Sequence, residues 1–457
     1  MKQEFKITPL TRVEGHGNVI IRIEDGRIRE VELNIVESPR FFEKFLQGKP
    51  AEEAPRISER ICGICFVAHH LASVKAVENA WGIQVPEAAW KLRELLNLAG
   101  FVTSHTLHLA FLAIPDLLEL PPEKRNILGL GESNPKLLKQ ALSIYDYGLV
   151  LTEILGGKRV HVATAIPGGM SKGLSEEERS KLLSLASTAM KSVEEMAEWF
   201  MEVAERKAEL VAFPTKAKYC MGLVKNGRHE LYDGDLRVVD PNGRKVYEFK
   251  GSEYLEYVAE RVSPHSHVKL PYLKKVGFPE GVHRVGPLAR LAVAERMAGD
   301  LASKLAERYY KVFGKVPSNM MAYNAARFVE LVYAVEASKQ MLEEDKFAGP
   351  TRVEVKEKAG EGIGVVEAPR GVLIHHYRTD DNGIIRLANV ITPTAFNAPS
   401  IEQDLTVIAE NALQRITGDE RGEIFWRMEV LTRAYDPCIS CATHTLKIIV
   451  EEKGKKA

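Results

Sequence analysis

Four of the five cysteines fall into two Cys-x-x-Cys pairs, Cys62/Cys65 in ERICGICFVAHH and Cys438/Cys441 in AYDPCISCATH. A two-residue gap lets both sulfurs of one turn face a single ion. Four thiolates suit a soft metal, whether zinc, an iron–sulfur cluster or nickel. Gly63 would remove a Cβ where the backbone of the first pair must turn tightly. Zinc ribbons bring their pairs within a few tens of residues of each other, whereas about 370 residues separate these. A structural zinc would also add little to a chain long enough to bury its own core. On spacing alone all three metals stay open. His69 and His444 each stand about one helical turn beyond a cysteine, where an imidazole can hydrogen-bond a thiolate or bind a second ion. A core or solvent-facing histidine is the plain alternative for each. Cys220 stands alone and reads as a buried structural thiol.

The pairs must be carried by elements that bring the chain ends together. GNVIIRIEDGRIREVELNIV alternates on both sides of Asp25-Gly26, the mark of a hairpin. From about Glu87 to Leu118 apolar residues recur at three- and four-residue steps, with a break expected near Pro115. Further helices are expected over LLSLASTAMKSVEEMAEWFMEVAERKAEL, over ARLAVAERMAGDLASKLAERYYKVFG as one helix ending at Gly314, and over ARFVELVYAVEASKQMLEED. DGDLRVVDPNGRKVYEFKG reads as a small β excursion, and TRVEVK with GVLIHHYRTDDNGIIRLANVI as a second β region. No Pro/Gly/Ser-rich linker divides these blocks. The expected fold is α+β, predominantly helical, with a long central helix bundle and peripheral β-hairpins in a single domain spanning 1–457.

Lys+Arg and Asp+Glu both number 62. With no net charge there is no global field to draw the chain onto nucleic acid or an acidic membrane. MKQEFKITPLTRVEGHG has no apolar stretch of a secretion signal, and no uninterrupted run of about 18 apolar residues predicts a membrane span. A soluble cytoplasmic protein, without nucleic acid as partner, is the expectation.

At the cysteines the chain resembles the large subunit of a nickel–iron hydrogenase, and the resemblance runs over essentially the whole sequence. R-I-C-G-I-C-x-x-x-H at Arg60–His69 and D-P-C-x-x-C-x-x-H at Asp436–His444 match the family's two cysteine motifs. Between and around them, in order, TRVEGH (Thr11–His16), PRFFEKFLQG, HTLHLAFLAIPD (His105–Asp116), GGKRVHVATAIPGGM, EAPRG (Glu367–Gly371) and ITPTAFN (Ile391–Asn397) are similar to further family segments.

The resemblance implies roles. Cys62, Cys65, Cys438 and Cys441 would ligate nickel, with Cys65 and Cys441 bridging to an iron that carries carbonyl and cyanide ligands. Arg370 would hydrogen-bond one cyanide and stand over the open metal position, Thr394 would bond the other, and Pro369 would line the pocket. Glu14 would relay protons to and from Cys438. Glu43 and His444 would bind a magnesium-like ion, or iron. Asp116 and Asp436 would support the centre from behind, and His69 would hydrogen-bond a cysteine sulfur. The segment around His161 would pack on a small subunit.

Plainer readings stand beside these. Glu14 could be a surface residue next to a strand, Arg370 could pair with Glu367, Asp436 could open a turn, and His105 and His108 read better as core histidines. The implied partners are an iron–sulfur small subunit, since the chain has no further cysteine pairs to relay electrons, a flavin or iron–sulfur electron-transfer subunit, and a maturation endopeptidase. That protease would remove residues 445–457 after His444. The segments look most like the archaeal cytoplasmic group that feeds a heterodisulfide reductase, with deazaflavin-reducing and NAD(P)-linked types as alternatives. A complex I quinone-site subunit, which lacks the cysteine pairs, and a zinc-stabilised structural protein are the rivals.

Overall fold

The computed structural model describes residues 2–118, 120–207 and 218–444. The 445–457 extension expected from the sequence and the end of the 182–210 helix lie outside the described residues.

Asp25-Gly26 closes the opening hairpin as expected, with Asp25 and Gly26 both at positive φ. It joins β2 (Gly17–Glu24) to β3 (Arg27–Ile35), and β1 (Lys2–Ile7) adds a third antiparallel strand. Glu43 follows on the short helix α1 (Phe42–Leu46). The first cysteine pair then leads into α2 (Phe66–Trp81), which ends at Gly82 in the left-handed region.

The bundle is built by α3 (Glu87–Leu107), α4 (Pro135–Gly156), α5 (Glu176–Lys207) and a later helix, α8. Near Pro115 α3 gives way to a wide turn (His108–Ala113) and a tight one (Ile114–Asp116). By length and composition, Glu87–Asp116 could cross a membrane, but 72% of its most apolar window is buried inside the protein. That is where a core helix keeps its apolar surface.

The β excursion holds as β5 (Asp235–Val239) and β6 (Lys245–Lys250), turned at Asn242-Gly243. It is no isolated hairpin, because β4 (Tyr219–Lys225) extends the sheet. The single helix expected over 289–314 is two, α6 (Pro287–Val293) and α7 (Asp300–Phe313). Gly299 at φ +85° breaks the run. The Glu336 carboxylate then accepts the N–H groups of Asp300, Leu301 and Ala302. An acid at a helix N-terminus satisfies donors that have no partner in the helix. That acid lies on α8 (Met321–Glu344), out of reach of any local signal.

TRVEVK is not a strand. The second sheet is β7 (Gly360–Ala368), β8 (Gly371–Thr379) and β9 (Ile385–Ile391), all antiparallel. The glycines of β7 mask it in the sequence, since glycine weakens a strand in isolation. A Cβ at Gly360, Gly362 or Gly364 would stand 1.9–2.1 Å from the carbonyl oxygens of Ala80, Ala76 and Ala72. The strand therefore lies directly on the backbone of α2. Finally come α9 (Pro393–Asn411), α10 (Arg421–Tyr435) and the short α11 (Ile439–Ala442).

Candidate metal centre

The two cysteine loops meet. The Cys62 and Cys438 sulfurs are 3.4 Å apart, Cys65 and Cys441 3.1 Å, and Cys438 and Cys441 2.9 Å. All four sulfurs lie within 4.8 Å of one another and all are buried. Within the first loop the N–H groups of Ile64 and Cys65 point at the Cys62 sulfur, at 3.2 and 3.4 Å. Gly63 does not serve the tight turn expected of it. It has no left-handed φ, and an added Cβ would meet open space, because Gly63 is exposed between buried Cys62 and half-buried Ile64.

The thiols press on each other. Hydrogen bonds from Cys438, then Cys441 and Cys65, hold Cys62 well below the ordinary thiol range. Burial, followed by hydrogen bonds with Cys441, Cys62 and Cys65, pushes Cys438 well above it. Burial likewise drives Cys441 up. Four buried sulfurs this close cannot all ionise unless a cation neutralises them. The donor set therefore fits a soft metal ion.

Arg40 ties the loops together, a role the sequence did not suggest. Its guanidinium donates to the Ile61 carbonyl, on the first loop, and to the Ser440 carbonyl at 2.8 Å, on the second. Arg40 lies in the PRFFEKF segment, which is the only signal that could have marked it.

Arg370 sits in the two-residue turn between β7 and β8, where Ala368 pairs with Gly371. It does not pair with Glu367. That carboxylate goes to Arg290, at 2.6 Å, and Arg290 also donates to the carbonyls of Ala368 and Pro369 and to Glu330. The turn is thus clamped from behind by a fully buried charge cluster that would be costly if left unpaired. Arg370 donates through Nε to the Asp436 carbonyl (2.7 Å) and through Nη2 to its carboxylate (2.9 Å). Its Nη1 is buried without a partner, and the thiols of Cys438, Cys65 and Cys62 are among the groups that act on its charge. A free, always-charged donor beside the sulfurs suits an anionic group. Asp436, at φ 57°, caps α10 and starts the second loop. Its Oδ2 is also unpartnered.

Thr394, in the first turn of α9, accepts the Cys438 N–H at 2.9 Å, which leaves its hydroxyl proton to donate elsewhere. Pro369 is buried beside Arg370. His69 places Nε2 3.6 Å from the Cys441 sulfur. Glu14 is half-buried, and its backbone, outside any strand, forms an isolated parallel bridge with Cys438. Its carboxylate accepts the Ser440 N–H at 3.0 Å and the Ser440 hydroxyl. The surface reading of Glu14 is therefore replaced by one at the edge of the second loop. Ser440 itself carried no sequence signal beyond lying between the cysteines.

Glu43 and His444 form a neighbouring cluster. Glu43 Oε1 accepts the Val390 N–H at 2.9 Å and lies 3.9 Å from His444 Nε2. His444 has the Cys441 carbonyl at Nδ1 and the Val390 carbonyl 2.6 Å from Nε2. Burial keeps His444 below its ordinary range. A neutral imidazole can donate to only one of those carbonyls, and a cation near Nε2, the Val390 carbonyl and Glu43 would relieve the other. Lys269, 3.6 Å from Glu43 Oε2, already brings one positive charge there.

Asp116 is held by two arginines and a tryptophan. It accepts from Arg12 and Arg433 (2.8 Å) and from Trp426, pinning the N-terminal segment to α10. His105 and His108 are core histidines, bonded to Glu330 (3.1 Å) and to the Arg433 carbonyl (2.7 Å). Cys220 is buried, as expected.

A buried pocket of four cysteine sulfurs with Arg370 beside it is a candidate metal centre. The sequence profile described as "Nickel-dependent hydrogenase" matches residues 40–121 and 225–444, and one described as "HoxL-like" matches residues 4–38. The chain is 46% identical to the corresponding polypeptide of the vhu F420-non-reducing hydrogenase of Methanocaldococcus jannaschii, over 88% of this chain and 98% of that one. It is 36% identical to the beta subunit of the NAD-reducing hydrogenase HoxS of Cupriavidus necator, over 98% and 96%. A crystal structure of an NAD+-reducing [NiFe]-hydrogenase superimposes with a TM-score of 0.92 at 37% identity, covering 97% of this chain and 99% of that one.

The chain belongs to the nickel-dependent hydrogenase family. It has the fold of the large subunit and is an oxidoreductase acting on dihydrogen.

Proposed function

We propose that this chain is the hydrogen-activating subunit of a cytoplasmic complex in which Cys62, Cys65, Cys438 and Cys441 hold nickel, and Cys65 and Cys441 also hold iron. The convergence of four buried sulfurs beneath Arg370 carries this reading. When bound, a nickel–iron centre with carbonyl and cyanide on iron would supply the site at which dihydrogen is split and its two electrons are taken up.

The residues divide the remaining work. Arg370 Nη1 has no acceptor among the described residues, and the Thr394 hydroxyl, which accepts from Cys438, keeps a proton to donate, so both would orient the anionic cyanides. Cys438, which a bound cation would hold as a thiolate, would take the proton, and Glu14 would receive it at the carboxylate that now accepts from Ser440. Asp436 would hold Arg370 in place through two hydrogen bonds. Glu43, the Val390 carbonyl and His444 would hold a magnesium-like ion that fixes the second loop.

The exposed Gly63, with Val160 lining the same cavity and His161 packed on Phe66 of that wall, is our proposed docking face for an iron–sulfur small subunit. Without a side chain at Gly63 a partner could approach the buried cysteines closely. From there we propose that electrons reach a flavin or iron–sulfur protein and then a heterodisulfide reductase. The 46% identity to an F420-non-reducing relative, against 36% to the NAD-reducing one, favours the F420-non-reducing type. We further propose that an endopeptidase removes residues 445–457. Mass spectrometry of active enzyme should find His444 at the terminus, and an intact Ala457 there would refute it.

Metal analysis and the infrared spectrum of the purified complex test the central reading. Nickel and iron in equal amount, with carbonyl and cyanide bands, are expected. Zinc alone would overturn it.

A further inference from the structure

Behind Cys441 runs a set of buried hydrogen bonds that the proposed chemistry leaves unused, with Ser58 also facing its Tyr377 hydroxyl. His69 Nδ1 is 3.1 Å from His375 Nε2. His375 Nδ1 is 2.6 Å from the Tyr377 hydroxyl, and that hydroxyl is 3.0 Å from Ser73 Oγ. All four side chains are buried. The set leaves α2 at His69 and returns to it at Ser73. Four helical residues rise about 6 Å, and two strand residues span about 6.6 Å, so His69/Ser73 on α2 face His375/Tyr377 on β8 in register.

The direction of these bonds follows from their ends. A metal-bound Cys441 thiolate carries no proton, so it can only accept, and His69 must present Nε2–H to it. A neutral His69 then has a bare Nδ1, which requires a donor. His375 supplies Nε2–H only if its own Nδ1 is bare, and the Tyr377 hydroxyl can donate to that atom because a phenol is the stronger acid of the pair. Ser73 then donates to the Tyr377 oxygen. Both rings are fully enclosed with no carboxylate against them, so each is held as a neutral imidazole with one N–H to place.

We propose that Tyr377 and His375 are positioning residues which, through this one-way chain, hold His69 as an Nε2–H donor to Cys441 and so damp the charge that this sulfur gives to its metal. Hydrogen bonds to ligating sulfur tune a metal centre without touching it. The proposal rests on the reading of the cysteines as ligands of a nickel–iron centre.

The test is infrared spectroscopy of purified complexes with matched nickel and iron content. In Tyr377→Phe and in His375→Leu the carbonyl band should move to lower wavenumber, because a sulfur that loses its donor pushes more charge onto the metals. His375→Gln, whose amide N–H can serve His69 without help from Tyr377, should restore the wild-type position. An unshifted band in fully loaded Tyr377→Phe overturns the proposal, as does a His375→Gln band displaced as far as that of His375→Leu. A wild-type complex with no carbonyl or cyanide bands would instead sink the nickel–iron reading. In that case, or if the variants fail to load metal, 15N shifts of histidine-labelled wild-type complex decide. Nε2–H forms of both His69 and His375 are expected, and an Nδ1–H form of either overturns the chain.

Discussion

The backbone N–H of Ser440 donates to the Glu14 carboxylate across 3.0 Å, although the two residues stand 426 positions apart. An acid near the start of the chain is therefore held by the loop that carries the last cysteine pair. Glu14→Gln should keep this contact, since an amide oxygen still accepts, while losing the proton-holding group. We expect metal content to be unchanged and hydrogen–deuterium exchange to fall by about 100-fold or more. Normal exchange in the loaded variant would remove Glu14 from the proton path.

Arg370 uses two donors to grip Asp436 and leaves a third free toward the sulfurs. A lysine cannot do both. Arg370→Lys should retain nickel and iron but lose about 100-fold in hydrogen uptake, the order of cost for removing one preorganised donor. Uptake within a few-fold of wild type, at equal metal content, would contradict the role.

Each ligand sulfur is indispensable if one centre uses all four. Cys→Ser at position 62, 65, 438 or 441 should abolish paired nickel and iron loading, read by elemental analysis. Full loading of any one variant would show that its cysteine is not a ligand.

The glycines of β7 are a packing requirement. Gly364→Ala would set a methyl 2.0 Å from the Ala72 carbonyl, which α2 can escape only by moving. A loss of about 2–3 kcal/mol in unfolding free energy is expected. Gly422→Ala, with nothing within 4 Å, should leave stability within about 0.5 kcal/mol of wild type or raise it slightly. Equal effects from the two would argue against the close approach.

His265 binds the Glu402 carboxylate at 2.6 Å, with Glu32 and Glu30 near and the Ser263 hydroxyl 3.0 Å from Nδ1. The Glu402 hydrogen bond raises its proton affinity in the fold. The unfolded chain therefore gives up this proton first. The stabilisation is fully present below about pH 6.5, the ordinary histidine value, and is lost as pH climbs through the raised folded value. His265→Gln should flatten that part of the stability profile, by about 1 kcal/mol or less for a pair near the surface. An unchanged profile would refute the assignment.

What the sequence disclosed follows the range of each signal. The cysteine pairs, the Asp25-Gly26 hairpin and the break at Pro115 are local patterns, and they stand. The split between α6 and α7 depends on Glu336, which reaches the helix start from α8. The β7 strand hid behind Gly360, Gly362 and Gly364, whose purpose is visible only against the carbonyls of α2. Arg40 and Ser440 escaped notice because their partners lie on the other loop or at the far end of the chain. Arg370 was legible as a residue but not in its partner, Asp436 instead of Glu367.

The 376 positions between Cys62 and Cys438 also set a schedule. A ribosome adding about 5–20 residues per second would expose the first pair roughly 20–75 s before the last one exists. Throughout that interval half of the ligand set is made and waiting, so any factor that delivers metal early has two thiols to offer it to, and capture of all four sulfurs can begin only once Cys441 itself has been made.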